Sequence, residues 1–483
     1  MHPRLAADLA ELPDLLDAVR QGATAMLDGL GERPVAGGGT GTGTVRPRAG
    51  LPETGAGARG ALEEFARRWE PGFSGSAGPR YLGFVTGGAT PAALMGDWLV
   101  AAYDQNVVWG GDSTATELER ETVERLRELF GLGAEQRGAF VTGATMSNTV
   151  GLALAREWVG EQQGVSVAQR GLGALDGPFR VLSGAPHSSV FKALSLLGAG
   201  RDAVRTVPLL PGREAVDVAA LAAELDADPR PAVVVANAGT VNTGDFDDLR
   251  ALAELRERRP FWLHVDAAFG AFAALSPDHA HLLDGIEAAD SVCVDLHKWL
   301  NVPYDAAVQF TRHRALQTRV FQNAAAYLGA PDEGAEPDFV HLTPENSRRL
   351  RALPAWFALA AYGRAGHGDI VARNLRCARL LGQRLADVPG LRLLAPVRLN
   401  IVCFTVTTVT TGATEDGTAP AMEQLQGLAR AVADTGEALL TPTVLDGVPA
   451  LRAAFSNWRT DETDVDRIAE ALRGAVRQSV SGG

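Results

Sequence analysis

Four short apolar runs recur through the middle of the chain, with helix-forming sequence between them. They are Arg180-Val181-Leu182-Ser183, Ala232-Val233-Val234-Val235-Ala236, Phe261-Trp262-Leu263-His264-Val265 and Ser291-Val292-Cys293-Val294. Runs that are apolar throughout, instead of alternating with polar residues, belong to strands buried on both faces. Their alternation with helices predicts an α/β fold, a sheet covered on each side by helices. Each run is followed by small or polar residues, and in open α/β sheets ligands bind beyond the carboxyl ends of the strands. The pattern therefore fixes both a fold class and a place to look for chemistry.

At 483 residues the chain exceeds the usual limit of one compact core. Residues 4–30 place Leu5, Leu9, Leu12, Leu15, Leu16 and Val19 at near-helical spacing, predicting an amphipathic helix or a pair of them. Residues 31–60 are glycine-rich and proline-punctuated and read as a linker; no strand precedes the glycine run and no Gly-Lys-Ser/Thr ends it, so it is not a phosphate loop. The expected division is 1–75 as an N-terminal helical segment, 76–345 as a large domain ending in a mobile loop, and 346–483 as a smaller α/β domain containing the strand Ile401–Val406.

A net charge of −13 argues against a nucleic-acid partner. Three widely spaced cysteines, Cys293, Cys377 and Cys403, fit reduced thiols better than a disulfide framework or a metal cluster. With no window of membrane-spanning length and an acidic residue interrupting the start, a cytoplasmic location with no membrane contact is expected.

Only two of the 45 basic residues are lysines, Lys192 and Lys298. An amine loses its proton when desolvated and attacks a carbonyl to form a Schiff base, which a guanidinium does not do. Lys298 closely follows a predicted strand end, in Asp295-Leu296-His297-Lys298-Trp299, whereas Lys192 falls within a helix beside Phe191 and Leu194. Lys298 is preferred, with Lys192 as the rival.

Other segments complete a site for a flat, phosphorylated ring. Thr142-Gly143-Ala144-Thr145-Met146-Ser147-Asn148 runs from a strand into a helix, whose free N–H groups make a phosphate cradle or simply an ordinary capped start. Asp266, at a strand end and followed by Ala267-Ala268, is placed either to keep a pyridine nitrogen protonated or to cap the next helix. His187, just past a strand, is placed either to stack on the ring and reach a substrate carboxylate or to serve as a plain helix cap. Thr240, in a turn of small residues, is positioned to contact the ring oxygen or the imidazole.

The set His187-x-Ser189-x-x-Lys192-Ala193, Gly239-Thr240, Asp266-Ala267-Ala268 and Asp295-x-His297-Lys298-Trp299 resembles the group II pyridoxal-phosphate-dependent amino acid decarboxylases, which include aromatic amino acid, glutamate and diaminobutyrate decarboxylases. Pro79-Arg80-Tyr81-Leu82-Gly83-Phe84, Thr116-Glu117-Leu118-Glu119 and Ser347-Arg348-Arg349 extend it over roughly residues 75 to 460. The resemblance implies the aspartate aminotransferase fold, fold type I of the pyridoxal enzymes. That fold has a mixed, mostly parallel sheet in the large domain and a homodimer with sites at the interface. It also implies that Lys298 carries the cofactor and Asp266 pairs with the ring nitrogen. His187 would stack on the ring, Gly143, Ala144, Thr145 and His297 would surround the phosphate, and Thr240 and Ala268 would lie near the ring. Family members often have Asn at the position of Asp295.

By the same resemblance a loop tyrosine supplies the proton that completes amine formation, and its loss diverts the reaction toward oxygen and an aldehyde. Counting back from Ser347-Arg348-Arg349, the expected position is Phe339. His341 or Tyr327 would then have to replace the acid. The leading expectation is decarboxylation of an L-amino acid, aromatic or apolar in side chain, to the amine and carbon dioxide. The alternatives are an aldehyde synthase or other carbon–carbon lyase, and a silent dimer.

Overall fold

A computed structural model describes residues 1–36, 50–111, 113–323, 336–407 and 421–481. Its large sheet has seven strands: β1 (Arg137–Val141), β2 (Val181–Ser183), β3 (Val204–Thr206), β4 (Val233–Asn237), β5 (Trp262–Asp266), β6 (Ser291–Asp295) and β7 (Ala307–Thr311), in the order β1-β7-β6-β5-β4-β2-β3. β2 to β6 run parallel, and β7 is antiparallel to both its neighbours. β4, β5 and β6 are buried along their whole length. The four apolar runs are these strands, displaced by at most a residue at their ends.

β8 (Leu391–Leu393), β9 (Ile401–Val406), β10 (Thr441–Leu445) and β11 (Val448–Ala454) form a second, antiparallel sheet in the order β10-β11-β9-β8. Helices Met422–Asp434 and Glu462–Ser481 accompany it. The helical stretch Ala352–Ala386 bends at Gly363, whose φ of 55° an L side chain rarely adopts. It packs against helices Pro91–Tyr103 and Ala115–Leu129 as well as against β8 and β9, so it serves both sheets. At the N-terminus stand two helices, Pro3–Ala10 and Leu12–Asp28; Leu15 is buried, while Leu5, Leu9, Leu12, Leu16 and Val19 are exposed.

β1 is an edge strand, and its open side is closed by two side chains. Glu119, from helix Ala115–Leu129, accepts the Phe140 N–H at 3.0 Å, and Arg348 donates to the Phe140 carbonyl at 2.7 Å. The two side chains have no exposure and pair with each other at 2.7 and 3.3 Å. Arg348 also donates to the Val107 carbonyl and stacks on the Phe339 ring, 4.7 Å from its centroid.

This placement corrects the expectation for Phe339 and His341. Both belong to a short 3-10 turn, Phe339–His341, and are buried, Phe339 as the apolar cover of Arg348. His341 Nδ1 accepts the Asn323 N–H at 3.1 Å. Side chains packed into their own core do not reach out to any catalytic pocket. Tyr327 lies outside the described residues.

Removing one member of a fully buried ion pair strands the other charge. Arg348→Met is therefore expected to lower unfolding stability by about 3–5 kcal/mol, and Arg348→Met with Glu119→Leu by much less. Urea unfolding of both proteins checks this; equal losses would mean that the pair is not what closes the edge.

Candidate active site

A cavity of about 340 Å³ opens beyond the carboxyl ends of β2, β4, β5 and β6. The residues singled out in the sequence, Gly143, Ala144, Thr145, His187, Thr240, Asp266, Ala268, His297 and Lys298, all line it. β6 delivers Asp295 and the short helix Leu296–Trp299; β5 delivers Asp266, and β1 leads through Thr142 and Gly143 into helix Ala144–Gln162. Lys192 is exposed on helix Ser188–Leu196 and does not line the cavity.

Lys298 Nζ stands 3.6 Å from Asp295 Oδ2 and 5.7 Å from the Phe269 ring centroid. Its backbone is clamped by the 84–88 loop, where Gly87 N–H donates to the His297 carbonyl at 3.3 Å. A β carbon on Gly87 would lie 1.8 Å from the Lys298 carbonyl oxygen, so only glycine permits this approach. Phe84 and Val85, in the same loop, both line the cavity with left-handed φ of 65° and 79°.

Asp266 is held from both sides. Its Oδ1 accepts the Ala268 N–H at 3.2 Å and its Oδ2 accepts an Asn148 amide hydrogen at 2.9 Å. His187 Nδ1 lies 2.8 Å from Ser189 Oγ and accepts the Ser189 N–H at 3.3 Å. Burial holds the His187 imidazole below the usual histidine range, opposed by the nearby Asp266 charge, so the ring is neutral near neutrality. His297 stacks on Tyr304 at 4.3 Å. Its Nδ1 is 3.1 Å from Asp295 Oδ1, but not along a hydrogen-bonding direction, and that oxygen is buried with no hydrogen-bond partner.

Thr240 lines the cavity with its hydroxyl already engaged. Its hydroxyl accepts the Asp245 N–H at 3.0 Å and lies 3.1 Å from Thr243 Oγ1, whose own hydrogen goes to Glu214 Oε2. The Thr240 hydrogen is thus directed to Thr243, and Thr240 contributes shape to the cavity wall more than a donor.

Arg452, on β11, was missed in the sequence. It lines the cavity, is buried, donates to the Val241 carbonyl at 2.6 Å and leaves Nε without a partner. A lone arginine within the apolar run Val448–Ala454 was the available signal.

A pyridoxal phosphate group fits these residues. Helix Ala144–Gln162 starts without a side-chain cap, leaving N–H groups free for a phosphate. The cavity further supplies one amine, a carboxylate held as an acceptor for a protonated ring nitrogen, and a neutral imidazole. Among the described residues no cluster with metal-ligating geometry occurs.

Comparison with known proteins agrees. Residues 51–407 match the family described as the pyridoxal-dependent decarboxylase conserved domain. An aromatic-L-amino-acid decarboxylase of Bacillus atrophaeus is 27% identical over 410 residues, 83% of this chain and 82% of that protein. An L-2,4-diaminobutyrate decarboxylase of Rhizobium meliloti is 29% identical over 436 residues, covering 89% and 84% respectively. A crystal structure of Oryza sativa TDC with PLP and tryptamine superposes with a TM-score of 0.88 at 24% identity, over 97% of this chain and 98% of that one.

Borohydride reduction of the yellow protein is expected to abolish its absorbance and leave the cofactor label on Lys298. Peptide mapping that finds the label on Lys192 would refute this site.

Proposed function

The chain belongs to the pyridoxal-dependent decarboxylase family, and from that premise we propose that it removes the carboxyl group of an L-amino acid with an aromatic or apolar side chain, using the cavity around Lys298. That it is a pyridoxal-phosphate-dependent carboxy-lyase follows from the family. The substrate class and the residue roles are our inference. The carrying observation is the convergence of Lys298, Asp266, His187 and an uncapped helix start on one cavity.

When bound, pyridoxal phosphate draws electrons out of the substrate bond aligned with its ring. Lys298 Nζ supplies the amine to which the cofactor attaches. Asp266, with both oxygens already accepting, would hold the ring nitrogen as an acceptor. His187, which lines the cavity beyond β2, would cover the ring. The Arg452 guanidinium, which lines the cavity, would hold a carboxylate. Cavity-lining Phe84, Val85, Met146 and Phe269 offer a side chain apolar surface.

The case for an aldehyde-forming reaction rested on a phenylalanine standing in for the loop tyrosine. Phe339 is a core residue, so that ground is removed. Tyr81 and Tyr304 do not line the cavity, and Tyr304 Oη is bonded to Thr86 Oγ1 at 2.9 Å. We assign the final proton transfer to Tyr327.

A homodimer is supported by the exposed apolar residues of the two N-terminal helices and by Met95, Trp98, Leu99 and Tyr103 on helix Pro91–Tyr103. Among the described residues no helix is long and apolar enough to cross a membrane, and Cys293, Cys377 and Cys403 are free and buried, which supports a cytoplasmic location.

Two measurements check this function. A panel of amino acids incubated under air and under nitrogen is expected to give amine and carbon dioxide from aromatic or apolar substrates, without oxygen-dependent ammonia. Turnover of glutamate or 2,4-diaminobutyrate alone would overturn the substrate class. Tyr327→Phe should slow amine release by roughly 10²-fold or more while allowing oxygen-dependent ammonia to appear; unchanged amine formation would remove Tyr327 from the chemistry.

A further inference from the structure

Behind the cavity a chain of buried polar groups has its hydrogen-bond directions fixed from one end to the other. It starts at Trp262, whose indole N–H can only donate, and donates to Ser291 Oγ at 3.0 Å. Ser291 Oγ also lies 2.8 Å from His264 Nδ1; because His264 Nε2 faces the Asn148 side-chain oxygen and must donate to it, Nδ1 accepts the Ser291 hydroxyl hydrogen. His264 is completely buried, and burial takes its imidazole down to about 4, so it is neutral and carries its hydrogen on Nε2. Nε2 lies 2.9 Å from Asn148 Oδ1.

The Asn148 amide is oriented by the Asp266 carboxylate, which only accepts. Its two hydrogens go to Asp266 Oδ2 at 2.9 Å and to Ser189 Oγ at 3.0 Å. Turning the amide over would set its oxygen against the Asp266 carboxylate and its NH2 group against the His264 Nε2–H. Ser189, having accepted from Asn148, sends its hydroxyl hydrogen to His187 Nδ1. That nitrogen also accepts the Ser189 N–H, so the His187 hydrogen sits on Nε2.

Helix Ala144–Gln162 holds the relay in place at Gly151. A β carbon there would come within 2.7 Å of His264 Nδ1 and Cε1 and 3.2 Å of Ser291 Oγ, so the helix lies directly on the imidazole.

We propose that His264, Ser291 and Asn148 are positioning residues: they hold Asp266 as an acceptor for the cofactor's ring nitrogen and fix His187 as the tautomer that presents Nε2–H to the cavity. His264 and Ser291 do not line the cavity and act only through Asn148. The proposal rests on the roles of Asp266 and His187 given above, but its test does not depend on turnover.

In holoenzyme carrying ¹⁵N in its histidine rings, two-bond nitrogen–proton spectra are expected to show His264 and His187 both as the Nε2–H tautomer. His264→Leu removes the donor to Asn148. It should shift the His187 Nδ1 resonance, whose Ser189 hydroxyl partner is no longer held by an oriented Asn148, and weaken pyridoxal phosphate binding about tenfold, the order expected for one lost hydrogen bond to a charged-site network. His264→Gln places an amide N–H where Nε2–H stood and should restore both properties to within about twofold. A residue that merely fills space would not separate leucine from glutamine.

An Nδ1–H tautomer of His187 in the unsubstituted protein, or equal behaviour of the Leu and Gln variants, would overturn the proposal. If His264→Leu fails to fold, Ser291→Ala carries the test. It removes the donor to His264 Nδ1 and should shift the His264 Nδ1 resonance and weaken pyridoxal phosphate binding severalfold; unchanged binding would equally refute the relay. Borohydride labelling of Lys298 in the same preparations reports separately on the cofactor site.

Discussion

The ion pair of Arg348 with Glu119 is the interaction on which the cavity depends. An edge strand leaves one row of backbone groups open, and buried groups of that kind must find partners. Here a guanidinium and a carboxylate take the place of the missing neighbour strand at Phe140. The charges are sheltered from water, but each meets the other and backbone partners as well, which offsets the cost of burial. Two residues beyond Phe140 the chain enters Thr142 and Gly143 and then the helix whose start faces the cavity. The position of that start is inherited from β1.

Around this fixed strand the site assembles from ends of elements, each carrying one group. The chemistry calls for few charges and many constraints. The cavity is lined by Asp266, Asp295, Lys298 and Arg452, and most of its remaining wall is apolar or small. The close approach of Gly87 and the left-handed Phe84 and Val85 show the backbone shaped to fit around Lys298. Behind the wall the polar relay is neutral apart from the Asp266 end. A neutral, fully bonded relay orients groups without adding the self-energy of another buried charge.

Much of this was legible in the sequence because the signals are local. Strands buried on both faces read as apolar runs, and the residues that follow them are the site. Lys298 and Lys192 could be told apart from their neighbours alone. The polar partnerships were not legible: Asn148 and His264 are 116 positions apart, and their pairing exists only once helix Ala144–Gln162 lies across β5. Arg452 was passed over because strand β11 brings it to the cavity from the second sheet. Counting back from Ser347-Arg348-Arg349 gave Phe339 no structural context. Its own surroundings, an apolar residue beside Val340 and close to Leu342, were the better guide to a core position. Gln309 and Thr311 hid β7, a fully buried strand with polar residues on it.

The closing of β1 also has a consequence in time. Arg348 lies 229 residues after Glu119 and 208 after Phe140. During synthesis the ribosome delivers β1, the following helix and every strand of the large sheet before the residue that completes the edge has emerged. Until then Glu119 faces Phe140 without its cation. The helix start that faces the cavity therefore reaches its final form late, after Lys298 is already in place.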